Sequence, residues 1–217
     1  MYEKYIKRFL DIVCALLAMI VFCWLYAIVA LLVRIRLGSP VIFRQKRIGW
    51  KEKEFYLYKF RSMSDARGRD GKLLPDSQRL TRFGRILRST SLDELPEAWN
   101  ILKGDMSVIG PRPWGPLYLP YYTEEEHHRH DVRPGLSGLA QVHGRTAATW
   151  DDRLKYDLDY VRHVTLAGDI KIIFLTVLKA VQRSDVAGAE VQGNFDDYRR
   201  KQWEEAKEAK EKHQMKK

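Results

Sequence analysis

The stretch IVCALLAMIVFCWLYAIVALLV, residues 12–33, runs for 22 residues without a charge, a glycine or a proline. As one helix it would be about 33 Å long, enough to cross the hydrocarbon core of a bilayer. A secretory signal would have a shorter apolar region followed by a small-residue cleavage site. Here the run ends in Arg34-Ile35-Arg36 instead. Lys4, Lys7 and Arg8 precede it, and Arg34, Arg36, Arg44, Lys46 and Arg47 follow. Both flanks are therefore drawn to the cytoplasmic side. A hairpin that enters and leaves one leaflet satisfies both. A single span satisfies only the larger cluster, but it leaves no backbone unpaired in lipid, and the run holds no strong helix breaker.

The rest of the chain is polar and basic. With 217 residues and a net charge of +10, it suits phosphorylated substrates, anionic lipid head groups or nucleic acid. Neither a reading helix nor a basic sheet with stacking aromatics is recognisable, so no nucleic-acid partner is expected. Cys14 and Cys23 both fall inside the apolar run. No disulfide framework then holds the polar part, which fits a reducing compartment.

Val41-Ile42-Phe43 and Phe55 to Phe60 read as short strands around Gly49 and a charged turn from Lys51 to Glu54. Residues 64–77 read as a loop. A helix is expected from Gln78 to Arg88, with Leu80, Phe83 and Leu87 on one side and Arg79, Arg82, Arg85 and Arg88 recurring as a basic stripe. Ser91-Leu92-Asp93-Glu94 has the form of a capping box, with Leu95, Trp99 and Leu102 at helical spacing after it and Pro96 in the first turn. That puts Asp93 and Glu94 at a helix N-terminus, where the macrodipole favours ionised carboxylates. A plain helix cap is the competing reading.

Arg112 stands between Pro111 and Pro113. Arg133 belongs to a stretch, Val132 to Gly138, that reads as a Pro-Gly turn, and Gly144-Arg145 reads as a second tight approach. Rigid loops that gather these arginines around phosphate are one outcome. Residues 150–163 and 169–183 read as helices. Residues 196–217 read as a charged helical tail with a solvated face, including a Glu208–Lys212 pair. The cluster from Glu124 to His130 has neither cysteine nor zincin spacing and does not read as a metal site.

Five ordered segments resemble the bacterial sugar transferases, the polyprenol-phosphate phosphoglycosyl transferases in their small monotopic form. They are FRQKRIG (43–49), YKFRSM (58–63), RSTSLDELP (88–96), LKGDMSVIGPRP (102–113) and RPGLSGLAQVHGR (133–145). The resemblance runs from Lys7 to about Arg183. It implies an α/β, mainly helical fold in three parts. Residues 1–38 would form a re-entrant membrane helix-break-helix. Residues 39–190 would form a small cytosolic catalytic domain with short strands and interfacial amphipathic helices, and 191–217 a charged helical tail. Related proteins break the membrane helix at a Ser-Pro pair, where this chain has Cys23-Trp24, so re-entrant against spanning geometry stays open.

The implied activity is transfer of a sugar 1-phosphate from a UDP-sugar to polyprenyl phosphate at the cytoplasmic face of the bacterial inner membrane. Asp93 would be the nucleophile of a two-step covalent mechanism. Glu94 would hold Mg²⁺, which prefers few carboxylates together with phosphate oxygens and water. Arg112 and Arg145 are expected on the nucleotide diphosphate, Arg88 on the lipid phosphate and Lys59 in support. Anionic phospholipid is an expected partner, and a homodimer is left open. The alternative is a membrane-tethered basic binding or scaffold protein without catalysis.

Overall fold

A computed structural model describes residues 2–143, 149–182 and 194–214. The apolar run is not one straight helix. A π-helical turn, Tyr2–Ile6, leads into α1 (Lys7–Val21), and α2 (Cys23–Leu37) follows at 65° to it. The bend falls on Phe22, with φ −100° and ψ 14°. Phe22 N–H still donates to Ala18 O and Tyr26 N–H to Phe22 O, both at 3.0 Å. One residue leaves helical geometry while the ladder continues around it, so no proline is needed. Each 15-residue arm is about 22 Å long, short of a hydrocarbon core of about 30 Å.

The outer ends of both arms are fixed to the same body of protein. Lys7 Nζ lies 2.7 Å from Asp169 Oδ2, and the Arg8 guanidinium donates to the carbonyls of Ile101 and Leu102 at 2.6 and 2.8 Å. Asp11 Oδ1 accepts from Ser107 Oγ and Val108 N–H, both at 2.9 Å. Val29 and Val33 of α2 pack with Phe60 and Leu87. At the bend, by contrast, Ile20, Val21, Phe22 and Trp24 are exposed.

After α2, β1 (Ile42–Ile48) pairs antiparallel with β2 (Glu54–Phe60), in register from Ile42 opposite Phe60 to Ile48 opposite Glu54. The expected helix at 78–88 is split into α3 (Asp76–Arg79) and α4 (Arg82–Ser89). Thr81 is extended and caps α4 by accepting from Gly84 N–H at 3.0 Å. Gly84 sits so close to the chain leaving β2 that a Cβ there would lie 1.8 Å from Ser62 O. The split also breaks up the basic stripe: Arg79 Nε turns back to Ser64 O, and Arg88 Nε to Ser62 Oγ.

A 3₁₀ turn, Leu92–Glu94, precedes α5 (Glu97–Lys103), which ends at Gly104 with φ +92°. The expected capping box does not form. Ser91 is left-handed at φ 55° and makes no side-chain cap bond, and Pro96 occupies the cap position of α5. β3 (Ser107–Ile109) then pairs parallel with β4 (Gly135–Ser137), so the stretch read as a Pro-Gly turn carries a strand. Between these strands lie a 3₁₀ segment (Pro116–Tyr121), α6 (Glu124–His127) and a 3₁₀ turn (His128–His130).

α7 (Leu139–His143), α8 (Trp150–Arg162) and α9 (Leu166–Gln182) follow β4. Ile109, Val132, Val142, Tyr160 and Ile172 form the core between them. α10 (Phe195–Gln214) is not solvated all round: Phe195 is fully buried among Trp114, Tyr122 and Trp150, and Arg199 pairs with Glu126 at 2.7 Å. Of the expected Glu208–Lys212 pair, Lys212 lies outside the described side chains.

Candidate active site

Asp93 and Glu94 sit on the 3₁₀ turn between α4 and α5, and Glu94 lines a cavity of about 300 Å³. Ala18 and Tyr26 of the bent pair, Leu95, Leu136 and Val142 give the cavity its apolar wall, and Ser89 to Ser91 join Glu94 on its polar side. Tyr26 O–H donates to Leu95 O at 2.5 Å, tying α2 to the turn.

Glu94 is the hub of the charges. Its Oε1 accepts from Lys59 Nζ at 2.6 Å and from Arg112 Nη2 at 2.8 Å. β2 supplies the lysine and the Pro-bounded segment after β3 supplies the arginine. Burial works against ionisation of Glu94, but Arg112 and Lys59 together outweigh it and hold the carboxyl at about 2. In return the Glu94 charge raises the Arg112 guanidinium further.

Asp93 is only 6% exposed. Burial pushes its carboxyl up, and the Glu94 charge adds to this; Lys59, Arg88 and Arg112 pull the other way. The expected stabilisation of its ionised form at an α-helix N-terminus is therefore not the dominant effect. The residue precedes α5 by a whole turn, and burial wins.

Glu97 was not among the residues singled out from sequence. It is 2% exposed, with Oε1 3.0 Å from Lys59 Nζ. Burial, reinforced by Glu94, pushes its carboxyl up to about 7 against the pull of Lys59 and Arg112. Its spacing of three from Glu94, just past Pro96, was the available signal.

Of the other expected residues, Arg88 is near enough to bias Asp93 while donating to Ser62 Oγ at 3.0 Å. Arg145 lies outside the described residues. Arg133 does not join the group, since its guanidinium donates to Gly104 O and covers the Trp50 ring. The histidine cluster is absorbed in packing: His127 contacts Glu52, His128 contacts Asp131, and burial lowers His130 to about 3. Among the described residues no group of three histidine, cysteine or carboxylate side chains could hold a metal by itself.

Residues 2–183, which contain the whole of this arrangement, match the bacterial sugar transferases. The chain belongs to that family. Among its relatives is an uncharacterized sugar transferase, EpsL, of Bacillus subtilis, 44% identical over 81% of this chain and 87% of its own length. The UDP-N-acetylgalactosamine-undecaprenyl-phosphate N-acetylgalactosaminephosphotransferase of Aeromonas hydrophila is 39% identical over 80% of this chain. The UDP-glucose:undecaprenyl-phosphate glucose-1-phosphate transferase of Escherichia coli is 39% identical over 82% of it. This sugar transferase spans 43% and 40% of those two longer enzymes. α10, packed on the segment after Arg112, lies beyond the family match.

Proposed function

We propose that this sugar transferase moves a sugar 1-phosphate from a UDP-sugar onto polyprenyl phosphate, with Asp93 as covalent nucleophile. The observation that carries the reading is the unequal environment of two adjacent carboxyls, the second of which, Glu94, lines an apolar-walled cavity. Glu94 is neutralised by Lys59 and Arg112, whereas Asp93 is buried and joined to neither by an ion pair among the described residues. A carboxylate without an ion-pair partner is the better nucleophile of the two.

In the first half-reaction a carboxylate oxygen of Asp93 attacks the sugar-bearing phosphorus. The bond from that phosphorus to the bridging oxygen breaks, UMP leaves with the electron pair, and an acyl phosphate remains. In the second half-reaction an oxygen of polyprenyl phosphate attacks the same phosphorus and the Asp93 carboxylate departs. One phosphoanhydride replaces another, so the overall exchange is close to neutral in free energy. Arg112, with 42% of its side chain exposed, reaches the donor diphosphate from beside Glu94; Arg145 serves the same diphosphate. Arg88 takes the lipid phosphate, and Lys59 holds Glu94 in place.

Glu94, with Glu97 sharing its Lys59 and no group of three metal-ligating side chains around it among the described residues, fits Mg²⁺ that takes most of its oxygens from phosphate and water. When bound, the ion would neutralise diphosphate charge. Glu94 would then share its Oε1 contacts with Lys59 and Arg112.

The bent pair enters and leaves one leaflet. Both of its outer ends dock on the same domain while its apolar crook stands free. Exposed Ile170, Phe174 and Val177 on α9, and Ile86 on α4 among exposed arginines, suit the surface of an anionic bilayer on the cytoplasmic side.

The test is incubation of nanodisc-held protein with polyprenyl phosphate, Mg²⁺ and a panel of UDP-sugars. Release of UMP that Asp93→Asn abolishes is expected. A parent protein that releases no UMP from any donor would favour a scaffold.

A further inference from the structure

Pro111 and Pro113 carry no N–H, so the segment that presents Arg112 must be held through its carbonyls. Three of them are held, each from a different element. Pro111 O accepts from Gly135 N–H at 2.9 Å, Trp114 O accepts from Ile48 N–H at 3.0 Å, and Arg112 O accepts from Arg129 Nη2 at 2.8 Å. The last is the only one of these three made by a side chain.

Arg129 is 2% exposed, and every nitrogen of its guanidinium is engaged. Besides the Arg112 carbonyl, Nη2 donates to Asp157 Oδ2 at 2.6 Å, Nε reaches the same oxygen at 3.2 Å, and Nη1 donates to Tyr122 O–H at 3.1 Å. The Trp114 ring covers the guanidinium 4.1 Å away. Asp157, on α8, is itself 2% exposed.

Stability does not account for such a pair, because well-packed apolar residues of similar volume often serve a core as well or better. What apolar side chains cannot supply is a rigid, directional donor aimed at one carbonyl. We propose that Arg129 is a positioning residue: braced by Asp157, Tyr122 and Trp114, it fixes the main chain at Arg112 so that the Arg112 guanidinium meets Glu94 and the donor diphosphate. This rests on the assignment of Arg112 to that diphosphate. A displacement of 1 Å in such a group is enough to lose rate on the order of 100-fold.

The test compares Arg129→Met/Asp157→Leu, which removes both charges and keeps volume, with Arg129→Lys, Arg112→Met and the combination of the double variant with Arg112→Met. Each is read for thermal midpoint and for kcat/KM of UMP release. Folded Arg129→Met/Asp157→Leu should lose at least about tenfold in kcat/KM. Adding Arg112→Met should cost little more than Arg112→Met alone, because the two act through one group. A merely structural role would give independent, multiplying losses. Wild-type kcat/KM in the folded double variant, or multiplying losses, overturns the proposal while the reading of Arg112 stands. Wild-type kcat/KM in Arg112→Met overturns both. If the double variant does not fold, Arg129→Lys decides. It keeps the charge but not the fork, so a partial loss supports the proposal and wild-type kcat/KM overturns it.

Discussion

Glu94 and Glu97 stand on either side of one ammonium: Lys59 Nζ lies 2.6 Å from Glu94 Oε1 and 3.0 Å from Glu97 Oε1. Arg112 adds its charge to Glu94, and the two carboxyls are driven apart, one held at about 2 and the other pushed up to about 7.

Their effects on stability therefore run in opposite directions. Glu97 titrates near 4.5 when unfolded and at about 7 when folded, so the native state holds an extra proton between these values. Stability falls as pH rises through that window and levels off above it. Glu94 stabilises the fold above 4.5, and that contribution is lost as pH falls toward 2. In Glu97→Gln the decline between the two Glu97 values should disappear from thermal midpoints measured across pH. An unchanged slope would refute the assignment.

Lys59 lowers the Asp93 carboxyl, which burial raises. Because the proposed attack by Asp93 needs the ionised form, UMP release should rise with pH along an acid limb. Lys59→Met should move that limb to higher pH and reduce the rate at neutral pH. A pH–rate profile shifted the other way, or not at all, would show that Lys59 does not act on Asp93.

Arg112→Met would remove the proposed charge-assisted contact to phosphate and should lower kcat/KM by about 2–3 kcal/mol, roughly 30- to 150-fold. Steady-state UMP release at several UDP-sugar concentrations measures it.

Phe195→Ala empties a fully buried site in the aromatic cluster with Trp114 and Trp150. It should destabilise the protein by about 3–5 kcal/mol, read as a lowered thermal midpoint. A midpoint like that of the parent would return α10 to the status of a solvated tail.

The motifs around Asp93, Arg112 and Gly135 were legible because each pairs reactive or basic residues with glycine or proline in a fixed order. Their local geometry was not. Ser91 has the right type for a cap, but Pro96 and the burial of Asp93 impose a 3₁₀ turn instead. The bend at Phe22 has no proline or glycine to mark it, and Lys7, Asp11 and Val33 on its two arms are held by partners distant in the chain. Arg129 and Arg133 are alike in type and only four residues apart, yet one braces the Arg112 main chain and the other caps α5 at Gly104. Tertiary packing alone separates them. Glu97 lies in the first turn of α5, and only the approach of β2 sets Lys59 against it.

The most direct measurement is mass spectrometry of protein quenched during turnover with a UDP-sugar in the absence of polyprenyl phosphate. A sugar phosphate attached to the peptide at Asp93, discharged when polyprenyl phosphate is added, is the expected result. UMP release with no adduct at that residue under any quench, or undiminished turnover by Asp93→Asn, would contradict covalent transfer through this carboxylate.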